Sequence, residues 1–519
     1  MTNSFNNSIV VFVYIIANAL IFLVHGVFWD DLTILNASKE AILEQYIGNG
    51  MPWTGYLHCF MQQLPHTVLL YHTLLFVIGL ANVFLFRAIL KHMPLSESTQ
   101  WYSSLLFAAY PLGFAHMAMI CFSYNLGFML ELIAILLLLC NQPKFHVLRY
   151  VLFFMVQFLA SMFLPSTIVL IFGVILLVAY LATSENANWS FVYAKEYVAK
   201  TLKMVIYFIP CLAFWAIKQL YFKPIGSYAA ADYNSFSLRK TLDYPISLLN
   251  SVLNTFGYWI DNASAVCGSI TAVILFAVLT YVLYRLIKNN EDDNQEERFV
   301  PLLISSAFIF VCGITAYNLV GDVPTYFTME DRHAILLQMA APLLLCALVC
   351  ICCKNDKMRK IAFSGIVSVF MIGAISQYYV AIQESQKNDA VSLYFANHEL
   401  NPGMVWVIDK HDPMNSVRFY TYAGLYYRAT GKQDHCFIVN DYNGADSTVL
   451  TLAYNQADAI IADTTNFIIV ESNQYKFDKQ VLLNVKDYYL NRNKYFDRLQ
   501  RTFYVREQAL CTIKNQEEI

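Results

Sequence analysis

The chain reads as a polytopic α-helical membrane protein with about eleven transmembrane helices, followed by a small α/β domain at its C-terminal end. Three observations predict this. Hydrophobic residues fill 58% of the 519 positions and charged residues only 14%, a balance far from that of a soluble domain. Apolar runs of about twenty residues, the length that crosses a bilayer core, recur from residue 8 to residue 382. From about residue 383 short β-rich runs alternate with helical stretches instead.

The runs fall near 8–27, 67–90, 101–120, 123–141, 148–164, 166–183, 203–221, 264–287, 299–319, 334–353 and 361–382. The first has neither a basic n-region nor a small-residue cleavage site, so it is expected to remain as an anchor. Leu164-Pro165-Ser166 and Cys121-Phe122-Ser123-Tyr124 supply hairpin breaks between runs that otherwise merge. Two domains follow, a membrane domain over 1–382 and a soluble one over 383–519.

Basic residues sort the loops into two sets. Arg87 and Lys91, Lys144 and Arg149, Lys195, Lys200 and Lys203, Arg285, Lys288 and Arg298, and Lys354, Lys357, Arg359 and Lys360 fall in one. The other set contains the longest loops yet holds only Lys39, Lys218, Lys223, Arg239, Lys240 and Arg332. The basic set is therefore expected on the cytoplasmic side. That places the N-terminus inside, and the loops at about 28–66, 222–263 and 320–333 outside together with the tail.

A net charge of -3 and a pI near 6.4 give no electrostatic footprint for nucleic acid. Ten of the twelve cysteines, Cys350, Cys352 and Cys353 among them, lie in or beside apolar runs, where a thiol behaves as a small hydrophobe. Cys436 and Cys511, in the tail, are placed to pair as a disulfide if that part lies outside the cytoplasm.

The first outer loop carries the densest chemistry. His25-Gly26-Val27-Phe28-Trp29-Asp30-Asp31-Leu32 ends an apolar run in two adjacent carboxylates, and charge at the edge of hydrocarbon is costly enough to mark a site. Asp30 and Asp31 fit a catalytic acid pair. They also suit the start of a helix, since 32–47 has an amphipathic pattern that fits a helix lying in the interface plane. His58, His66 and His72 lack metal-ligand spacing and are expected to pack.

In the 222–263 loop, Tyr228, Asp232, Tyr233, Arg239, Lys240, Tyr244, Tyr258 and Trp259 suit a sugar cleft or an aromatic belt at the headgroup level, and the belt is the commoner arrangement. The late loop Gly321–His333 places Arg332 at a helix start, where its planar fork can hold two phosphate oxygens. A local ion pair with Asp322, Glu330 or Asp331 is the alternative. Glu131 lies within the fourth run and must face the bundle interior or a wet cavity. The acidic stretch 289–297 reads as a solvated cytoplasmic loop. No repeat of fixed period is visible, which weakens a transporter reading.

An enzyme on the outer face has no access to cytoplasmic nucleotide-sugars, so sugar transfer there needs a lipid-carried donor. Asp30 or Asp31 would take the proton of an acceptor hydroxyl, and Arg332, with His333 beside it, would hold the departing phosphate. Asp322 and Glu131 are further polar candidates. A divalent cation such as Mg or Mn would find oxygen ligands in Asp30 and Asp31, although a hard cation needs more than two.

Several features together resemble the GT-C superfamily of membrane glycosyltransferases. They are an acid pair after the first span, an amphipathic segment behind it, about eleven spans, an arginine at a late outer helix start and a soluble tail. Phe28-Trp29-Asp30-Asp31-Leu32 and the length are most similar to the bacterial O-antigen glucosyltransferases. The resemblance implies a polyprenyl-phosphate-linked sugar such as glucose as donor and a surface glycan or lipid-linked acceptor. It also implies an essential aspartate at Asp30 or Asp31 and a place in the bacterial inner membrane. A flippase for lipid-linked saccharides and a polysaccharide polymerase or ligase are the competing classes.

Overall fold

A computed structural model describes residues 2–35, 37–140, 146–184, 191–230, 237–288, 299–400, 403–412, 414, 416–418, 420–441, 465–472 and 477–508. The expected Cys436–Cys511 pairing and the acidic stretch 289–297 lie outside what is described, as do Asp232 and Tyr233.

The helices of the N-terminal half are α1 (Thr2–Asn18), α2 (Leu32–Leu35), α3 (Lys39–Gly48), α4 (Pro52–Gln62), α5 (Thr67–Leu90), α6 (Glu97–Ala109), α7 (Phe122–Leu139), α8 (His146–Phe163) and α9 (Thr167–Ser184). They continue as α10 (Phe191–Met204), α11 (Ile209–Tyr221), α12 (Ser227–Ala230), α13 (Leu238–Leu242), α14 (Tyr244–Cys267), α15 (Ile270–Ile287), α16 (Phe299–Asn318), α17 (Leu337–Cys352) and α18 (Asp356–Asn397). Among the described residues six helices are long and apolar enough to cross a membrane: Thr67–Leu90, Met119–Leu139, Lys195–Tyr221, Ile270–Ile287, Phe299–Asn318 and Asp356–Asn397. Asn7–Leu23, Val147–Phe163, Thr167–Tyr180 and Leu337–Cys352 are shorter apolar helices. The fold is that of a polytopic helical membrane protein.

One expected span is not a single helix. The run 101–120 stays helical only to Ala109, because Tyr110 precedes Pro111 and takes an extended conformation. Gly113 then turns with φ +81°, a conformation glycine adopts without steric cost. The remaining residues form a buried, irregular crossing that ends in a 3-10 turn at Met119–Cys121. The amphipathic segment 32–47 is likewise broken, into α2 and α3, where Ser38 caps the second helix by accepting from the Ala41 amide.

A second correction concerns 222–263, read as a loop. Its second half is α14, a helix of 24 residues. Ser251, Thr255, Tyr258 and Asn262 form one buried stripe at helical spacing, while Ile246, Leu249, Leu253 and Ile260 are exposed. The helix is amphipathic with its polar side inward and its apolar side out, the arrangement suited to a lipid surround. Tyr258 is therefore an interior residue rather than part of a belt.

Helix α18 has 42 residues and runs unbroken across 382/383, carrying the chain from the bundle into the tail. The tail holds β1 (Gly403–Asp409), α19 (Thr421–Thr430), β2 (His435–Asp441), β3 (Thr465–Ser472), α20 (Phe477–Leu490), α21 (Arg492–Thr502) and β4 (Phe503–Gln508). The sheet order is β2-β1-β3-β4, with β1 parallel to both β2 and β3 and β4 antiparallel to β3. Gly431, at φ +71°, ends α19 in the left-handed region.

Loop 24–35, the crossing 110–121, the late loop 319–336 and the tail gather at one end of the bundle. A core cluster there joins Val27, Phe28 and Leu32 to Phe114, Met119, Tyr378, Tyr422 and Leu425. The candidate site lies in this junction.

Candidate active site

The acid pair sits in a short 3-10 turn, Trp29–Asp31, held from several sides. Asn388 of α18 donates to the Val27 carbonyl at 2.9 Å. Gly26 passes so close to α18 that a Cβ there would lie 2.6 Å from the Cα of Ser385. His25 stacks on Tyr488 with centroids 3.8 Å apart, and its Nε2 lies 3.0 Å from the Tyr495 hydroxyl. Trp29 takes φ +57°, a region costly for a large side chain that persists only where surroundings enforce it.

This turn sends the two carboxylates to different tasks. Asp31 is buried, and its Oδ1 accepts the Ile120 amide at 2.9 Å, tying the first loop to the 119–121 turn. Burial pushes its carboxyl up to about 7, against the amides of Ile120, Met119 and Phe28, which favour the anion. Asp30 is partly accessible. Its Oδ1 accepts a hydrogen bond from the Tyr420 hydroxyl of the tail. Burial pushes its carboxyl up to about 6, while Arg332 and then Arg418 pull it down and Glu330 pushes it further up.

Arg332 lies 4.8 Å from the centre of the Trp29 ring, within cation–π range. Its Nη2 is paired with Glu330 at 2.9 Å, so the local ion pair that was the alternative to a phosphate contact is present, alongside the contact with the first loop. His333 accepts from Arg332 Nε at 3.3 Å. Burial, with the guanidinium beside it, pushes the imidazole down to about 3, so at neutral pH it steadies Arg332 without adding positive charge. Asp322 is pushed upward by burial and by Glu330, with Arg332 and Lys240 opposing.

Beside Arg332 is a narrow cleft with a cavity volume of about 20 Å³, lined by Tyr110, Gly113, His116, Tyr124, Asn125, Tyr258, Tyr326, Asp331, Arg332 and Gln338 and not by Asp30. Asp331 is built into its wall: its two oxygens accept the Phe114 and Ala115 amides at 2.6 and 2.9 Å. Tyr258 and Tyr326 stack with centroids 4.2 Å apart, and Gln377 donates to the Tyr258 hydroxyl at 2.6 Å. His116 is held through Nδ1 by Asn125 at 2.7 Å, while its buried Nε2 has no hydrogen-bond partner among the described residues. Aromatic rings, side-chain amides and an imidazole thus converge on this cleft.

Of the residues expected at the site, Asp30, Arg332, His333 and Asp322 are brought into one electrostatic neighbourhood. Glu131 is elsewhere, inside the bundle, where Gln157 donates to it at 2.9 Å. His58 and His72 are packing residues, bonded to the Tyr71 hydroxyl at 2.7 Å and to the Met117 carbonyl at 3.2 Å. Sequence reasoning missed His116, Tyr326, Gln338 and the tail's Tyr420. His116 and Asn125 straddle an expected span boundary, and only the break at Pro111 exposes them as site residues.

With Asp31 committed to backbone donors, Asp30 alone of the pair remains to offer oxygens to a cation. Among the described residues no group of three or more His, Cys, Asp or Glu side chains is gathered to hold a metal ion. A hard cation's coordination shell is not provided by these side chains.

No family model matches the chain, and no curated protein matches it. Among solved structures it is similar to ArnT from Cupriavidus metallidurans, solved bound to undecaprenyl phosphate. The identity is 10%, the match covers 90% of this chain and 92% of that one, and the TM-score is 0.35.

Proposed function

We propose that the protein is an integral membrane glycosyltransferase of the GT-C type that moves a sugar from a polyprenyl-phosphate donor to a hydroxyl of a glycan or lipid-linked acceptor. The observation that carries this reading is the Arg332 guanidinium over the ring of Trp29, the residue before Asp30, near enough to pull the Asp30 carboxyl down, beside a narrow cleft of aromatic and amide side chains.

In this reading the donor's phosphate lies against Arg332, whose fork is steadied by Trp29, Glu330 and His333. The sugar docks at the mouth of the cleft, toward the Tyr258–Tyr326 stack and His116, and the narrow cleft must widen to admit it. The acceptor oxygen attacks the anomeric carbon, and the bond from that carbon to the phosphate oxygen breaks. The hydroxyl proton passes to Asp30 and the lipid phosphate leaves with both bonding electrons. A carboxylate titrating near 6 is ionised at neutral pH yet basic enough to take a proton in the transition state. Charge building on the phosphate meets a guanidinium already in place.

The apolar outer side of α14 suits approach of a lipid donor from the bilayer. The basic-residue pattern supports an orientation with this end of the bundle and the tail on the outer face and the N-terminus inside, and the resemblance to the GT-C superfamily supports a bacterial inner membrane. Glucose, or another hexose, and an O-antigen or related surface glycan are the proposed partners. The test is to incubate purified protein in nanodiscs with polyprenyl-phosphate-glucose and a glycan acceptor, then analyse the products by mass spectrometry. A new glycosidic bond with release of polyprenyl phosphate is expected. Transbilayer movement of intact donor without bond formation would instead mark a flippase.

A further inference from the structure

We infer that the C-terminal domain completes the site through Tyr420, a positioning residue whose hydroxyl holds Asp30 Oδ1 and leaves the second carboxylate oxygen for the incoming hydroxyl. This rests on the reading of Asp30 as the proton acceptor.

The hydrogen bond joins residues 390 positions apart, and it is not an isolated touch. One turn along α19, a Cβ on Gly424 would lie 3.2 Å from the Cβ of Leu32, so helix and loop are in van der Waals contact. Among the described residues Asp30 Oδ2 takes no hydrogen bond, and Oδ1 takes the one from Tyr420.

Tyr420 is in turn fixed by a polar cluster buried where α18 enters the tail. Lys387 Nζ lies 2.9 Å from Glu384 and 2.8 Å from Asp409, and also donates to the His411 carbonyl at 2.8 Å. Asp409 accepts the Tyr422 hydroxyl at 2.7 Å. Asp412 accepts the Ser416 and Val417 amides at 2.9 and 3.0 Å, and Thr421 Oγ1 accepts the Arg418 amide at 2.8 Å. Burying ionisable groups is costly even when they are paired. Here the cluster sets the turn that carries Tyr420, with Arg418 beside it, onto the first loop.

The groups acting on Asp30 come from every packed element. They are Arg332 and Glu330 from the late loop, Arg418 and Tyr420 from the tail, Asp31 on its own turn, Tyr46 from α3 and Cys121 from the crossing. Within that set the phenol is the direct donor. A hydrogen bond to the ionised form favours it, so losing the bond raises the carboxyl and frees its rotation.

The experiment measures kcat/KM against pH for the full-length protein in nanodiscs, with Tyr420→Phe, with 3-fluorotyrosine placed at position 420, and with Asp30→Asn. The Phe variant keeps the ring. It is expected to lose roughly tenfold in kcat and to move the acid limb of the profile up by about half a unit to one unit. The fluorinated phenol is a stronger donor and should move the limb down. An unmoved limb in both substitutions overturns the inference, whether or not the rate changes, because a merely structural tyrosine would slow the enzyme without shifting its titration. Should the Phe variant fail to fold, the fluorinated protein decides alone. Full activity in Asp30→Asn would remove the underlying reading, and that outcome is distinct from an unmoved limb with Asp30→Asn inactive.

Discussion

The Arg332 guanidinium lies over the Trp29 ring, 4.8 Å from its centre, in the residue immediately before Asp30. A strained backbone turn at φ +57° thus presents an aromatic face to the cation of a loop three hundred residues further along the chain. Trp29→Leu removes that face. With about 0.5–2 kcal/mol in a partly desolvated cation–π contact, KM for the lipid donor is expected to rise by between about twofold and thirtyfold. Trp29→Phe should recover most of it. Steady-state kinetics over a range of donor concentrations checks both.

The charges around Asp30 give a signed pH prediction. The acid limb of kcat/KM is expected near pH 6, since the carboxyl is pushed up to about 6 and must be ionised to act. Glu330→Gln removes a neighbour that raises the Asp30 carboxyl, so the limb should move to lower pH. Arg332→Gln removes the neighbour that lowers it most, so any residual activity should show a limb at higher pH. Profiles shifting in the same direction for both variants would contradict this arrangement.

Asp31 is expected to matter for folding more than for turnover. Asp31→Ala leaves the Ile120 amide without its acceptor, a loss of about 1–3 kcal/mol for a buried donor. Thermal unfolding in detergent should show the drop, with Asp31→Asn milder because the amide oxygen can still accept.

Gly113→Ala should be worse than an ordinary glycine replacement. The residue has φ +81°, and a Cβ there would lie 2.1 Å from Asp331 Oδ2. Both strain and collision would separate Asp331 from the Phe114 and Ala115 amides, a cost of at least about 2 kcal/mol. Thermal unfolding and activity should fall together.

Much of this was legible from periodicity. The apolar runs at 67–90 and 299–319 announce α5 and α16, and the short β-rich runs after residue 383 announce the strands of the tail. Asp30 and Arg332 stood out because each is a charge beside an apolar run. What the chain order hid has physical reasons. A polar stripe on α14 reads as a loop when its inward face is read without the surrounding bundle. A proline and a left-handed glycine convert the 101–120 run into a cleft wall. Tyr420 lies in a tail with no motif, and its approach to Asp30 depends on a long-range contact that no local pattern encodes.

Asp30 is the group proposed to accept the hydroxyl proton. The most direct measurement is the rate of glycosidic bond formation by purified Asp30→Asn and Asp31→Asn proteins from the same lipid donor. Loss of roughly a hundredfold or more in the first, the range expected for a missing general base, with the second keeping most of the turnover of its folded fraction, is the predicted result. Turnover in Asp30→Asn within about threefold of the unmodified protein, a difference of less than 1 kcal/mol in barrier, would contradict it.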